Sequence, residues 1–463
     1  MSPRAAALLL VSVPSLAARP LEISRVHSTT TNPEILWSVS AGLYTGELAF
    51  TKDAVLFGTG NGTTGPFIKE GWTRVLPPRV SFDEYDNALV CLDSKTGELR
   101  WRAVHPQVYD RSIGIPSWPI TSKPAAEGDR VYYLSVNWEL ICADLEGFHD
   151  GENDGPFTGE KFKEPTDVDI VWRIDFQKDL GVKPSCPGDV GYVQSSPLVM
   201  GGLVYVVTGN GADWKEGTRI VKAPDAPSFL AMDRLTGKIA WSSRAPAENI
   251  IWLQGASPVA LPERGEVVFP GGDGCLYGFD AKTGEQYWKA DLNAIGGTKD
   301  LYFECRPLVV NGMVIASLRK NVERGPIKNT PLIAVKPGKP GAPVETAWVF
   351  GKDLDGFWPQ SLAQDGTVYA ISAPNLLHAL DPATGRERWC LPAESKDIGD
   401  EGLQIGGGQG RLYLTNSEAE LMIIDPSSSP PAMQNWSSPD CPFPTPVPLS
   451  PVTACICLWS RAC

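Results

Sequence analysis

The chain has 463 residues, with 41 lysines and arginines against 54 aspartates and glutamates, a formal net charge of −13. That acidic balance, which no basic cluster offsets, argues against nucleic acid and anionic membrane surfaces as partners. Its 46 glycines and 41 prolines suit a turn-rich all-β chain, and no stretch reaches the ~18 consecutive apolar residues of a membrane span.

In chain order, residues 1–18 read as an export signal: Arg4, an apolar run from Ala5 to Val13, then Ser15-Leu16-Ala17-Ala18 as a small-residue cleavage site. The mature protein is therefore expected to be soluble, periplasmic or extracellular, and free of transmembrane segments. Next comes an isolated strand pattern, Ile35-Leu36-Trp37. From there to Asp425 the chain repeats one phrase, in four clear copies: 91–101, 231–241, 278–288 and 379–389. Each copy opens on a small residue, has Asp at the third place (Asp93, Asp233, Asp280, Asp381), Gly at the seventh (Gly97, Gly237, Gly284, Gly385) and Trp at the eleventh (Trp101, Trp241, Trp288, Trp389).

The phrase reads as a tight antiparallel hairpin. An apolar strand leads in, Asp hydrogen-bonds the turn backbone, Gly takes a positive φ, and a second strand ends on Trp. The indole then needs a neighbouring unit against which to bury its ring, with a carbonyl for its N–H. Weaker copies begin at Leu140 and close at Trp172, begin at Leu332 and close at Trp348, and begin at Leu421. Six intervals of about 59 residues separate Trp37 from Trp389, which suits four short strands and their loops per unit. The expected fold is a single β-propeller of four-stranded blades. Seven blades account for the copies if the Trp37 strand completes the last one and closes the ring; eight stay open if Trp436 closes a blade of its own.

The expected organisation is a signal at 1–18, a propeller at 19–425 and a disordered tail at 426–463. The tail is rich in proline and serine and holds Cys441, Cys455, Cys457 and Cys463. Cys91 and Cys142 sit in repeat strands, where a thiol serves as a small apolar group. Cys186, Cys275, Cys305 and Cys390 cannot be paired from sequence.

The repeat Ala-x-Asp-x-x-Thr-Gly-x-x-x-Trp resembles the tryptophan-docking repeat of the pyrroloquinoline-quinone (PQQ) propellers. More narrowly, residues 147–156, 226–233 and 269–274 resemble exported PQQ-binding-like repeat proteins of planctomycete type; quinoprotein alcohol dehydrogenases are more distant relatives. The resemblance implies the propeller fold for roughly Trp37 to Asp425. For a dehydrogenase it would imply PQQ on the ring axis, held by Ca2+, with a carboxylate base. Thr208-Gly209-Asn210-Gly211 matches the family's calcium-ligand turn, making Asn210 the cofactor-binding candidate. Thr59-Gly60-Asn61-Gly62 repeats the tetrapeptide elsewhere, as an ordinary turn would. Where the enzymes carry their catalytic aspartate this chain has 245–252, and only Glu248 could act as base. A vicinal Cys-Cys pair and a Cys-x-x-Cys-His haem motif are both missing.

One local pattern has the spacing of a calcium loop: Asp150, Glu152 and Asp154 at alternate places, then Gly155, with Glu160 further on. The twelfth place is Lys161 rather than Glu, and a solvated acidic loop explains the same residues. Trp118, Trp138, Trp214 and Trp358 lie outside the phrase, as recognition aromatics or as caps on the blades. The reading is an exported, monomeric binding or scaffold propeller with a protein or glycan partner and no assigned catalytic residue. The alternative is a PQQ- and calcium-dependent alcohol or sugar dehydrogenase.

Overall fold

The computed structural model describes residues 7–11, 34–39, 47–60, 87–105, 120–184, 195–215, 218–303, 305–319, 330–354, 356–372, 376–392, 404–408, 410–415, 421–427 and 431–436. Seven four-stranded antiparallel sheets follow one another along the chain, at 49–105, 125–175, 198–243, 259–291, 308–350, 357–392 and 404–436, here blades one to seven. In each blade the strands pair in sequence order, and the first strand of one blade lies beside the first strand of the next, from blade one to blade seven. These first strands are the inner rank of a β-propeller. Among the described residues no helix is long and apolar enough to cross a membrane.

The repeated phrase builds its hairpin as expected. In blade four, Asp280 Oδ1 accepts from the N–H groups of Lys282 (3.0 Å) and Thr283 (2.7 Å) and from the Thr283 hydroxyl (3.0 Å), while Gly284 N–H donates to the Asp280 carbonyl at 3.0 Å. The same bonds recur at Asp93, Asp233 and Asp381. Such bonds favour the charged carboxylate. That of Asp381 is held down to about 2, first by Arg388 and then by Thr384.

The hydrophobic core lies in the seams between successive blades. Tyr132 and Trp172 of blade two pack with Val204 and Met232 of blade three, and Tyr205 and Trp241 of blade three with Phe269 and Phe279 of blade four. The seams from four to five, five to six, six to seven and one to two are built alike. Four of these seams are stitched by a tryptophan of one blade lying on a glycine of the next. Trp172 covers Gly237, Trp241 covers Gly284 and Trp348 covers Gly385. Their indole N–H groups donate to Arg234, Ala281 and Pro382 carbonyls at 3.1, 2.9 and 2.8 Å. Trp101 does the same on the Leu145 carbonyl at 2.7 Å, over Gly147. Blade five lacks the Asp-x-x-Thr-Gly turn, so Trp288 has no such carbonyl and donates to Glu266 of its own blade at 2.8 Å.

The turn glycine is thus required twice over, by its φ of 73° at Gly284 and by the indole on top of it. A Cβ at Gly284 would sit 2.6 Å from the Trp241 ring, whereas one at Gly265, with φ 65°, would meet nothing within 4 Å. Gly284→Ala is expected to cost about 2–4 kcal/mol and Gly265→Ala only about 1, as measured by urea denaturation.

Two expectations about the ends need correction. The Trp37 strand, Glu34–Val39, does not complete blade seven but pairs in parallel with Ala7–Val11. The fourth strand of blade seven is Ala432–Trp436, antiparallel to Leu421–Asp425, so Trp436 closes its own blade while the count stays at seven. A local hairpin has a far smaller loop-closure cost than pairing with a strand from the opposite end of the chain. The propeller therefore reaches Trp436, beyond the expected boundary at Asp425. Residues from 437 onward, and the cysteines among them, lie outside the described residues, as do Cys186, Asn61 and Trp118. Cys91 and Cys142 are buried thiols, both pushed up to about 12 first by burial.

Candidate functional site

Antiparallel strands in chain order place the second-to-third and fourth-to-next-first connections at one end of the sheets and the remaining turns at the other. The widest spans between described strand ends fall at the first end: Gly60 to Asn87, His105 to Ala125, Asp175 to Leu198, Val207 to Phe229, Ser243 to Val259, Asp291 to Leu308 and Ser317 to Leu332. At the opposite end the turns are short, apart from 145–169 in blade two and 337–344 in blade five. The molecule thus has a loop face and a turn face, and the loop face is where side chains can vary without disturbing the blades.

Two predicted site residues share the loop face. Asn210 lies at the base of connection 208–228 and is fully buried. Its Oδ1 accepts from Lys183 N–H at 3.2 Å, its Nδ2 donates to the Ala223 carbonyl at 2.8 Å, and its own carbonyl accepts from Gln254 Nε2 at 2.8 Å. Gln254, which sequence reasoning missed, also bonds Ser228 Oγ at 2.9 Å and accepts from Gly272 N–H at 3.2 Å. Together they tie down the roots of connections 176–197, 208–228 and 244–258. Glu248 lies in a single 3-10 turn, Ala247–Asn249, and is exposed. A quinone held by calcium needs a free amide oxygen and a shielded carboxylate base converging on one space. The Asn210 carboxamide is spent on the backbone and Glu248 faces solvent, so these residues do not fit that group.

From the same roots rises a small independent sheet, Ala212–Lys215 paired with Thr218–Val221. Lys215, Thr218, Arg219 and Ile220 are exposed on it, Ile220 at 43 %. Arg219 Nη1 donates to the Asn249 carbonyl at 3.4 Å, which braces the hairpin on the turn that carries Glu248. Of the four extra tryptophans, Trp138 is buried and caps its blade, and the side chains of Trp214 and Trp358 lie outside the described residues.

The acidic loop is on the other end, in connection 145–169. Asp150 Oδ1 accepts from Glu152 N–H at 2.9 Å, an ordinary turn bond. Asp154 pairs with Arg130 Nη2 at 2.9 Å, and its N–H donates to Asp169 Oδ2 at 2.7 Å. Glu160 folds inward to accept from Asn153 Nδ2, Ile170 N–H and Lys163 Nζ, each at 3.4 Å. Among the described residues, no three of Asp150, Glu152, Asp154 and Glu160 have ligand atoms within 4.8 Å of one another, so the expected calcium cage is not assembled. The physical reason is Arg130, which sequence reasoning missed: its guanidinium also meets Asp144 at 2.6 Å and Asp129 at 3.2 Å and supplies the positive charge itself. Asp144 is the Asp of a weak repeat copy, third from the small residue Cys142, and burial pushes its carboxyl up to about 6 despite Arg130.

Residues 164–390 match a family model described as outer membrane protein assembly factor BamB, so this segment is similar to the PQQ-like repeat propellers. Similar solved structures include BamB from Moraxella catarrhalis, at 14% identity over 82% of this chain and 81% of that one, with a TM-score of 0.47. A europium-containing methanol dehydrogenase matches at 12% identity over 82% and 72%, TM-score 0.46. The quinohemoprotein alcohol dehydrogenase of Comamonas testosteroni matches at 12% over 82% and 64%, TM-score 0.47. No curated protein sequence matches the chain.

Proposed function

We propose that this protein is an exported, non-catalytic propeller that docks a protein partner on its loop face. The observation that carries this reading is the hairpin at 212–221, a two-stranded sheet that projects from a rigid, fully bonded base and presents Lys215, Arg219 and Ile220 to solvent. Among the described residues Thr218–Val221 pairs with no strand but Ala212–Lys215, and such an edge beside an exposed apolar side chain and cationic groups is a surface to which an extended acidic segment can add. The family description, an assembly factor, agrees with protein docking. Export rests on the signal pattern of residues 1–18, whose removal would also take away the Ala7–Val11 strand and leave Glu34–Val39 without that partner.

The competing reading is a calcium-dependent quinoprotein dehydrogenase, which would require the Asn210 carboxamide to leave its backbone partners and Glu248 to turn in from solvent. Titration of the full chain with PQQ, with and without Ca2+, separates the two through tryptophan fluorescence. Docking without a quinone predicts no saturable quenching up to roughly tens of micromolar PQQ. Tight, calcium-dependent quenching would overturn it and make Glu248→Gln the next variant to assay.

A further inference from the structure

Blade six holds a cluster that the loop-face reading does not use. His378, on strand Leu376–Leu380, is 3 % exposed and stands opposite Cys390 of strand Glu387–Pro392. Simple alternation along a strand would turn Glu387, three places before Cys390, to the other side of the sheet. The register slips instead: Ala379 faces Trp389 while Leu380 faces Glu387, so Arg388 is the extra residue of a bulge and Glu387 is re-aimed. Glu387 Oε2 thereby reaches His378 Nδ1 at 2.7 Å, and the ligand atoms of His378, Glu387 and Cys390 all lie within 4.8 Å of one another. Among the described residues this is the only such group.

The bulge itself is general, and its chemistry here is not. Blades one to five slip at the same place, but the pair equivalent to His378 and Cys390 is Val90 with Arg102, Ile141 with Arg173, Leu230 with Ser242, Tyr277 with Lys289 and Ile333 with Val349. Only in blade six does the shared geometry carry three ligand-type side chains. The imidazole is fixed from its other sides. Ser372 Oγ lies 2.7 Å from Nε2, and the rings of Phe350 and Phe357 stand edge-on at 5.3 and 5.9 Å. Glu387 is 39 % exposed through its side chain and Cys390 is partly exposed, so the group opens to water on one side.

We propose that His378, Glu387 and Cys390 form a binding site for a divalent transition ion of Zn2+ type, with the fourth position left to water or a small donor. One imidazole nitrogen, one carboxylate oxygen and one thiolate are the donor set of a borderline-soft ion; Ca2+ and Mg2+ take oxygen ligands. On binding, the Cys390 thiol releases its proton to solvent, and Nδ1 exchanges its contact with Glu387 for the metal. The ring proton then resides on Nε2, where Ser372 Oγ accepts it, the outer hydrogen bond that orients a metal-bound histidine. The same Ser372, His378 and Glu387 also have the order of a hydrolytic relay, but Ser372 is fully buried and no substrate reaches its hydroxyl.

Titration of the full-length protein with Co2+ tests the site through the thiolate-to-cobalt charge-transfer absorption. The expected result is one equivalent bound with that band, displaced by Zn2+, together with a Zn2+-dependent rise in Tm. Cys390→Ser is expected to abolish the band and the Tm rise, and Glu387→Gln to weaken binding about tenfold or more. Both changes fall on partly exposed positions, and far-UV circular dichroism is expected to match the wild type. The absence of a charge-transfer band in the wild type overturns the proposal. So does a band that persists in Cys390→Ser, since it would belong to other thiols of the chain.

Discussion

Trp241→Ala is expected to destabilise the folded chain by about 3–5 kcal/mol, the range for removing a large aromatic side chain from a core. The indole is 8 % exposed, stacks on Phe279 with ring centres 5.5 Å apart, and meets Phe269 and Tyr205 at 6.0 and 6.1 Å. It belongs to blade three, yet its N–H and its ring are spent on Ala281 and Gly284 of blade four. Its loss opens a cavity along a seam, where no strand pairing can close the gap. Trp241→Phe should cost less, about 1–2 kcal/mol, because the Ala281 carbonyl keeps the Tyr205 hydroxyl as donor at 2.9 Å. Urea denaturation of both variants checks this; a Trp241→Ala loss under about 1 kcal/mol would mean the seams do not hold the blades together.

Arg130→Met is expected to be the next most damaging change, at about 2–4 kcal/mol near neutral pH. Removing one member of a buried ion pair leaves the other charge uncompensated. Here the stranded group is Asp144, 4 % exposed, with Asp154 beside it. The loss should depend on pH with a definite sign. Burial raises the folded pKa of Asp144 to about 6, above the ~3.9 of an unfolded aspartate. Its contribution is therefore fully present below the unfolded value and is lost as pH rises through about 6. Without Arg130 the folded pKa rises further, so the deficit of the variant is largest at pH 7–8 and shrinks toward pH 5. Denaturation at pH 5 and at pH 7.5 gives the comparison, and an equal deficit at both would show that Asp144 is not the group left exposed to the change.

What could be read from the sequence was whatever is local. Asp280, Thr283 and Gly284 form their turn within one short hairpin, so the phrase announced itself, and the eleventh-place Trp implied a neighbour to dock on. The closing strand did not, because Ala432–Trp436 carries no phrase and follows a proline-rich stretch, while Ile35-Leu36-Trp37 imitates a closing strand. The acidic loop could be read as a calcium loop or as a solvated one, because its counter-charge, Arg130, comes from another strand and has no fixed spacing to Asp154. Asn210 looked like a ligand because its partners, Lys183, Ala223 and Gln254, are joined to it only by the fold. The His378 cluster was invisible because ordinary strand alternation puts Glu387 and Cys390 on opposite sides, and only the bulge at Arg388 reverses that.

The most direct test of the docking account is site-specific photo-crosslinking in the native compartment. One probe replaces Lys215 on the loop-face hairpin; the other replaces Leu235, which is 57 % exposed on the turn face. The account predicts a discrete protein adduct from position 215, lost when Ile220→Asp is added, and none from position 235. An adduct from position 235 with none from position 215, or one at 215 that is indifferent to Ile220→Asp, would contradict it.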